Sequence, residues 1–495
     1  MKKLNQITSG TIAVLSSRRT FYVVIGVFII ESLWVALSFR FPLLFDERYH
    51  FDVINIFSHG FSPIITDQPP AYDLYGSLTF GSASLFHYLM SFPNRAILLF
   101  TNDLFTQVVI LRILNILMAA SGLWLFGRVF RTIGIKQIYV NISLFFYSLI
   151  PLVIFIAATI SYDNMLLPLT GGFMLAGLKI LQNKGNKAID YTLFIVIGLF
   201  ATLVKFTFLP VFVGSMIYVV IVEIRKSGRS TVRILIESFK SIRISTKILL
   251  LIIFLIMAGL FSARYIVAIA KYGSPIPECA KVLSQQRCSV GGVSAMEMQA
   301  RATKDQRQAE PIERYAQHWV ETVILHLDTS AGSISPTTFE MGKSLPIFSL
   351  LMVGSIFIGV GFLLYAWRSI SKNNGWTFLI FIVWILVVSV FGFNAISYYS
   401  AHEDLNTQGR YLLSIIPVVL VMSTVSISYV LNKKRKLKVA ILLIVLIMSL
   451  QGGGVIKHIL NGQDNWYWDK PIIIKANHVA KKILQPIVKE TNIFN

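Results

Sequence analysis

The sequence predicts an all-α polytopic membrane protein with about eleven transmembrane helices. Of its 495 residues, 55% are hydrophobic and only 14% are charged, and the mean hydropathy is +0.67. Soluble globular domains carry charge on roughly a quarter of their residues. Apolar runs of the length that crosses a bilayer, about 20 residues, recur along the chain. This composition excludes soluble, disordered and small disulfide-rich proteins.

Seven predicted spans precede residue 270 and four follow it. The apolar run over 190–223 is too long for one helix, and Pro210 together with the polar step at Lys205 indicates a helical hairpin. No cleavage site of small residues follows the first apolar run, so we expect it to be a retained helix. The predicted spans are 20–39, 107–126, 137–159, 164–181, 190–206, 207–223, 248–268, 346–367, 376–395, 410–430 and 439–456.

The distribution of charge predicts the orientation. With a cytoplasmic N-terminus, the inner segments hold 24 of the 45 Lys and Arg residues but only three of the 24 acids, so the whole net charge of +21 lies on one face. Lys and Arg concentrate on the cytoplasmic side of membrane proteins. Basic loops beside anionic headgroups explain the high pI, so membrane lipids rather than nucleic acid are the predicted partners. We expect a multi-pass protein of the cytoplasmic membrane.

Three long segments then face the periplasm or exterior. We expect a transmembrane module at 1–268 whose outer loop 40–106 contains interfacial helices, a mostly helical outer loop at 269–345, further transmembrane helices at 346–456 and an outer tail at 457–495. Pro93 is expected to break the apolar stretch at 84–100, which predicts an interfacial or re-entrant helix there. Trp466, Tyr467 and Trp468 fit an aromatic belt at the outer headgroups.

The two cysteines, Cys279 and Cys288, both fall in the second outer segment. Thiols that face an oxidising compartment can pair, so we expect a disulfide; two free thiols are the alternative. No histidine pair accompanies them, so a structural zinc site is not predicted.

The first candidate site follows the first span. Asp46 and Glu47 are adjacent carboxylates at the mouth of an apolar helix, where a general base could take a proton from a hydroxyl. His50, four residues after Asp46, could share a helix face with it. The alternative is an ordinary solvated loop. The string Asp-Glu-x-x-His differs from the His-Glu-x-x-His zinc motif, so a metalloprotease is not predicted.

The second candidate is Asp163, in the short outer connection Ser161-Tyr162-Asp163-Asn164. Asp and Asn are common in tight turns because their side chains bond to nearby backbone, and that turn role is the alternative. Asp163 nevertheless falls at the same predicted membrane face as Asp46.

Three cations lie at the outer ends of predicted spans: Lys205, Arg264 and Arg410. An ionisable residue within a span indicates function, whereas snorkelling toward headgroups is the alternative, and we favour snorkelling for Arg264. A phosphate at headgroup level could pair with Lys205 and Arg410. Glu403 and Asp404 could instead neutralise Arg410.

With these residues the chain resembles the integral-membrane glycosyltransferases of the C type (GT-C), in the branch that uses polyprenyl-phosphate sugars. That branch includes protein mannosyltransferases and lipid A aminoarabinose transferases. Asp46-Glu47 occupies the position of its acidic motif, and Gln68-Pro69-Pro70-Ala71-Tyr72 is similar to its Pro-Pro-x-Tyr string. Arg112-Ile113-Leu114-Asn115 opens the second span, and Asp163 falls in the second outer loop as the second acid of the family does.

The resemblance covers the seven spans up to residue 268 and implies roles for their polar residues. Asp46 would be the catalytic base, with Glu47 and Asp163 as supporting acids that orient the acceptor or a metal. Lys205 would hold the donor phosphate, with Arg410 and Arg264 as helpers. The substrate-binding residues would be His50, Tyr72 and Gln68; the family often has His or Lys at the position of Gln68.

The implied reaction moves a monosaccharide from a polyprenyl-phosphate carrier to a hydroxyl of a cell-envelope glycan, lipid or protein. No cofactor is required by the sequence, and a divalent cation is left open, because two acids form an incomplete metal shell. A secondary transporter is the main alternative, although no internal repeat is visible. A flippase or polymerase of lipid-linked glycans is another, and a non-enzymatic scaffold leaves the paired acids unexplained.

Overall fold

The computed structural model describes residues 12–79, 84–228, 230–329, 373–430 and 453–490, together with five isolated positions. Over this part of the chain the secondary structure is helical, and strand-like pairing is limited to one β-bridge between Phe39 and Tyr467. Seven of the described helices are long and apolar enough to cross a membrane. The predicted all-α polytopic membrane protein is therefore confirmed. The predicted spans 346–367 and 439–456 lie largely outside the described residues.

The helices are numbered here in chain order. The first twelve are α1 (Arg18–Ser38), α2 (Glu47–Ser58), α3 (Ser84–Leu98), α4 (Leu104–Thr132), α5 (Gln137–Ser148), α6 (Pro151–Ala157), α7 (Tyr162–Gln182), α8 (Lys187–Val204), α9 (Leu209–Ser227), α10 (Ser230–Lys240), α11 (Ile244–Phe261) and α12 (Val267–Tyr272). They are followed by α13 (Cys279–Val282), α14 (Gln285–Cys288), α15 (Gly292–Ala302), α16 (Ile312–Thr329), α17 (Asn374–Ala401), α18 (Ile416–Val430), α19 (Gly454–Asn461) and α20 (Pro471–Glu490). Short 3-10 turns lie at Pro70–Tyr75, Phe206–Phe208, Lys304–Gln306, Gly409–Leu412 and Asp464–Trp466.

The predicted span 137–159 is not one straight helix. The chain bends by 75° between α5 and α6. Pro151 is the first residue of α6, and a proline there starts a helix well but has no N–H to continue the preceding one. The result is a broken or re-entrant span, with α6 fully buried.

The predicted hairpin over 190–223 is confirmed. Helix α8 ends at Val204, Lys205 is extended, and a 3-10 turn leads into α9 with Pro210 in its first turn. The predicted span 410–430 begins later than expected, because Gly409–Leu412 forms a 3-10 turn and α18 starts at Ile416.

The prediction that Pro93 breaks the apolar stretch at 84–100 is wrong. The proline lies inside a continuous helix over Ser84–Leu98 and does not break it. Helix α3 is instead held against α2, where Asn94 Nδ2 donates to Asn55 Oδ1 at 2.7 Å and Arg95 donates to the Phe57 carbonyl at 2.6 Å. Tertiary packing thus compensates for the lost backbone hydrogen bond.

The centre of the molecule is formed by α4, α7 and α8. Of the most apolar stretch of each helix, 56%, 67% and 61% of the residues are buried inside the protein. Small residues allow α4 and α7 to approach closely. A Cβ at Gly122 would lie 2.7 Å from Leu167, and one at Gly171 would lie 3.0 Å from Leu125. Such small-residue contacts are the usual means of packing helices within a membrane. The start of α7 carries Asp163, and Lys205 directly follows the end of α8.

The disulfide predicted between Cys279 and Cys288 is present. It joins α13 to α14 and places Arg287, the residue before Cys288, against Asp73 in the loop between α2 and α3.

Candidate active site

The chain enters α2 through an unusual turn. Phe45 and Asp46 have φ values of 64° and 67°, a left-handed conformation that costs non-glycine residues about 1–3 kcal/mol each. Asp46 is the N-cap of α2, yet its side chain caps no backbone N–H. Arg410 holds the turn instead: Nη1 donates to the Phe45 carbonyl at 2.8 Å and Nη2 to Asp46 Oδ2 at 2.5 Å.

Asp163 lies in the first turn of α7 and is paired with the end of α8. Lys205 Nζ donates to Asp163 Oδ1 at 2.6 Å, and both side chains are 4% exposed. Ser161 begins α7 by accepting a hydrogen bond from the Asp163 N–H at 3.3 Å. The helix start fixes the carboxylate, and the break between α8 and α9 brings the ammonium group to it.

Two tyrosine rings join these ion pairs. Lys205 Nζ lies 4.7 Å from the ring centre of Tyr162 and 4.3 Å from that of Tyr411. The guanidinium of Arg410 lies 5.6 Å from the Tyr411 ring. We call the six residues the acid–cation cluster: Asp46, Asp163, Lys205, Arg410, Tyr162 and Tyr411. The structure therefore brings two of the three predicted acids and two of the three predicted cations together.

Sequence reasoning missed both tyrosines, although each is adjacent to a predicted residue. Tyr162 precedes Asp163 and Tyr411 follows Arg410. An aromatic ring beside a buried cation stabilises its charge by about 0.5–2 kcal/mol. A tyrosine next to Asp163 and another next to Arg410 could therefore have been predicted to belong to the site.

The surroundings of Glu47 differ completely from those of Asp46. Arg112 donates to both Glu47 oxygens, at 2.8 and 2.7 Å, and both side chains are fully buried. Glu47 also accepts the N–H groups of Leu43 and Ile160, at 2.6 and 3.1 Å. With both oxygens engaged, Glu47 connects α2 to α4 and to the start of α7. This arrangement supports a role in holding the framework of the site.

His50 is also fully buried. Its Nδ1 lies 2.9 Å from His87 Nε2, and its ring meets the Tyr162 ring edge-on at 4.7 Å. Burial lowers the pKa of His50 well below its usual value, and His87, Arg410 and Lys205 lower it further. The His50 imidazole is therefore neutral at physiological pH. Sequence reasoning did not identify His87.

Gln68 and Tyr72 belong to a closed loop between α2 and α3 and not to the cluster. Gln68 Nε2 donates to the Gly76 carbonyl at 2.8 Å, and Gln68 Oε1 accepts the Leu78 N–H at 2.8 Å. Tyr72 packs beside a small apolar group of residues at 53, 57 and 78. These contacts show how the loop is held, whereas substrate binding by either residue stays a prediction.

The same loop is tied to the disulfide segment. Arg287 donates to Asp73 at 2.6 and 2.8 Å and to the Gln68 carbonyl at 2.6 Å. The Arg287 guanidinium, through its hydrogen bond, lowers the pKa of Asp73.

Arg264 lies apart from the acid–cation cluster, in a π-helical turn over Ser262–Ile266. It is 7% exposed, and its guanidinium donates to the Pro275 carbonyl at 3.4 Å. It lines a small cavity of about 30 Å³ with apolar residues that include Leu85 and Leu203.

The acid–cation cluster and the adjoining His50 have unused hydrogen-bonding capacity. The Asp46 side chain is 46% exposed, whereas that of Arg410 is 2% exposed. Arg410 Nε and His50 Nε2 are buried without a hydrogen-bond partner. A buried polar atom left unsatisfied costs about 1–3 kcal/mol, so a ligand atom that pairs with it gains that energy. Within the described ranges, no group of three or more His, Cys, Asp or Glu side chains is arranged to hold a metal ion.

No protein-family model and no curated protein match the chain. Two solved structures have a similar overall chain path. The crystal structure of ArnT from Cupriavidus metallidurans in the apo state aligns with a TM-score of 0.47 and 13% identity, over 95% of this chain and 73% of that chain. The archaeal oligosaccharyltransferase AglB from Archaeoglobus fulgidus, in complex with an inhibitory peptide and a dolichol-phosphate, aligns with a TM-score of 0.46 and 13% identity, over 93% and 59%.

Proposed function

We propose that the protein is a GT-C membrane glycosyltransferase that transfers a monosaccharide from a polyprenyl-phosphate carrier to a hydroxyl group. The proposed acceptor is a cell-envelope glycan, such as O-antigen or another surface polysaccharide, or a lipid or protein. The observation that carries the proposal is the acid–cation cluster. There, a half-exposed carboxylate and a buried carboxylate each pair with a cation around two tyrosine rings.

Asp46 is the proposed general base. Its carboxylate is the exposed member of the cluster, and the left-handed turn directs it away from its own helix toward Arg410. As the acceptor oxygen forms its bond to the anomeric carbon, the hydroxyl proton passes to Asp46. The bond from the anomeric carbon to the phosphate oxygen breaks, and its electron pair leaves with the polyprenyl phosphate. General-base assistance of this kind contributes about 10²–10⁴-fold to a rate.

Lys205 and Arg410 are proposed to bind the phosphate of the donor. Negative charge grows on the leaving phosphate, and fixed cations in a water-poor site stabilise it. Arg410 Nε is buried without an acceptor and could donate to a phosphate oxygen. Asp163 orients Lys205 before the donor arrives, through the 2.6 Å ion pair.

The other predicted residues have supporting roles in this proposal. Glu47 holds the turn that carries Asp46, and His50 offers its unpaired Nε2 to a sugar hydroxyl. Gln68 and Tyr72 shape the outer wall through the loop they close. Arg264, in its apolar surroundings, contacts the carrier lipid near its phosphate. The site would face the periplasm or exterior, following the charge distribution.

The test uses the full-length protein in lipid nanodiscs with radiolabelled undecaprenyl-phosphate pentoses and hexoses and extracted envelope glycan as acceptor. Wild type should release undecaprenyl phosphate in an acceptor-dependent reaction. Asp46→Asn should bind the donor and lose transfer, and Lys205→Gln should chiefly raise the KM for the donor. Asp464→Asn, which changes an exposed acid outside the cluster, is the matched control. Equal rates for wild type and Asp46→Asn would reject the proposed base, and solute uptake without a glycan product would support a transporter instead.

A further inference from the structure

Helix α20 presents three different faces. One face is packed against the protein: Asn477 is 1% exposed and accepts a hydrogen bond from Trp34 Nε1 at 3.1 Å. A second face is apolar and exposed, with Ile472 at 78%, Val479 at 50% and Ile483 at 60%. These three residues fall at i, i+7 and i+11, which is a single stripe on an α-helix. An exposed apolar stripe is unfavourable in water, so it requires a partner.

The third face is polar. It carries exposed side chains at 475, 478, 482 and 485, which are Lys, His, Lys and Gln. Lys475 and Lys482 border the apolar stripe directly, because each is three or four residues from a member of it. The helix is thus divided into a protein-facing sector, an apolar sector and a cationic, polar sector.

The level of α20 is set by its attachment to the end of α1, a predicted transmembrane span. The Arg40 N–H donates to the Trp466 carbonyl at 2.9 Å, and the Trp468 N–H donates to the Ser38 carbonyl at 3.1 Å. Helix α20 begins three residues after Trp468. Its first turn therefore lies where α1 leaves the apolar part of the bilayer.

The end of α1 presents an exposed apolar side chain at this level. Leu37, in the last turn of α1, is 41% exposed, as expected for the lipid-facing side of a span. Helix α20 packs on α1 through the Trp34–Asn477 hydrogen bond, four residues before the end of α1. The exposed apolar stripe of α20 therefore adjoins an exposed apolar part of a predicted membrane span.

We propose that α20 lies in the plane of the membrane interface at the end of α1, with Ile472, Val479 and Ile483 inserted among the lipids. Lys475 and Lys482 then lie at the level of anionic headgroups, and the polar face is turned to water. Amphipathic helices bind membranes in this way through apolar insertion together with electrostatic attraction. The assignment depends on the geometry of α20 alone and is independent of the proposed reaction.

The experiment uses fluorophores attached to single introduced cysteines in full-length protein reconstituted into vesicles of phosphatidylcholine and phosphatidylglycerol. Within the described residues, the native cysteines are paired with each other and leave no free thiol. The labelled variants are Ile472→Cys, Val479→Cys and Ile483→Cys, with Gln485→Cys on the polar face as the matched control. All four positions are exposed, so the changes leave the packed face of α20 intact.

A lipid-borne nitroxide should quench the fluorophores at 472, 479 and 483 several-fold more than the one at 485, and aqueous iodide should show the reverse order. Lys475→Gln combined with Lys482→Gln should weaken the lipid quenching in vesicles with phosphatidylglycerol but not in pure phosphatidylcholine. Equal iodide quenching at all four positions would place the stripe in water and overturn the proposal. Protection from both quenchers at 479 and 483 would mean that another protein or a second copy covers the stripe, which also overturns it.

Discussion

Asp46 and Glu47 are neighbours in sequence and differ in almost every physical respect. Glu47 is fully buried and forms a two-pronged ion pair with Arg112, plus hydrogen bonds from two backbone N–H groups. Asp46 is 46% exposed, sits in a left-handed turn and meets Arg410 through one oxygen. One carboxylate has all of its hydrogen-bonding capacity used within the protein, and the other does not.

The difference indicates a division of labour within the acidic pair. A carboxylate whose oxygens are all engaged cannot accept a proton without breaking several contacts, so Glu47 is suited to fixing α2 relative to α4 and α7. A carboxylate with solvent access and a single ion-pair partner can exchange that partner. The Glu47–Arg112 ion pair therefore supports the strained turn that contains Asp46.

The largest effect should follow from breaking the Glu47–Arg112 pair. Glu47→Ala leaves the Arg112 guanidinium buried without its partner, which should cost about 3–5 kcal/mol of unfolding free energy. We expect low yield and a lowered Tm in detergent. Glu237→Ala, which removes the acid of an ion pair with Arg233 in which both side chains are exposed, should cost less than about 1 kcal/mol. Similar Tm losses in both variants would contradict the framework role of Glu47.

The second largest effect should be a loss of activity without a loss of stability in Asp46→Asn. Asp46→Asn keeps an oxygen that can accept from Arg410, and the side chain is half exposed, so the Tm should change little. Transfer should fall by about 10²–10⁴-fold. Measuring the Tm and the single-turnover rate on one preparation gives both numbers. A variant that loses Tm in parallel with activity would assign Asp46 to the framework with Glu47.

A smaller effect should come from Arg410→Lys, which retains the charge and removes the two-pronged grip on Phe45 and Asp46. A displacement of the base by about 1 Å can cost about 10²-fold in rate, so kcat should fall. The KM for the donor should change less, because a cation remains. If the KM rises while kcat is unchanged, Arg410 acts through the donor phosphate alone.

The sequence predicted the parts of the fold that depend on local composition. Apolar length identified the described spans, and a polar break at Lys205 located the hairpin between α8 and α9. The bend of 75° between α5 and α6 was missed, because hydropathy stays high on both sides of it. Pro151 was the local signal, since proline favours the first position of a new helix.

Long-range pairing was not predictable in the same way. Arg112 meets Glu47 across 65 positions of sequence, and His87 meets His50 across 37. Nothing in the local pattern around one member specifies the other, because the pairing depends on how α2, α3 and α4 pack. The acids of the candidate site were identified by their place at helix ends, whereas their separate surroundings required the structure.

The smallest predicted effect concerns the loop at 68–78, where the ion pair of Asp73 with Arg287 is partly exposed, unlike the Glu47–Arg112 pair. Arg287 lowers the pKa of Asp73, so the ion pair is at full strength above the ordinary Asp pKa of about 4 and is lost as the pH falls through the lowered value. Docking of the loop should therefore be the same at pH 7 and pH 5. Hydrogen exchange of the Leu78 amide, which donates to Gln68, reports it.

Arg287→Gln should speed this exchange a few-fold by the same factor at both pH values, after correction for the intrinsic rate. Arg301→Gln, at an exposed ion pair of helix α15, is the control and should leave exchange unchanged. Loss of wild-type protection between pH 7 and pH 5 would show that a group other than Asp73 controls the loop. In that range Asp73 stays ionised, so the contact with Arg287 is constant while any histidine-dependent contact changes.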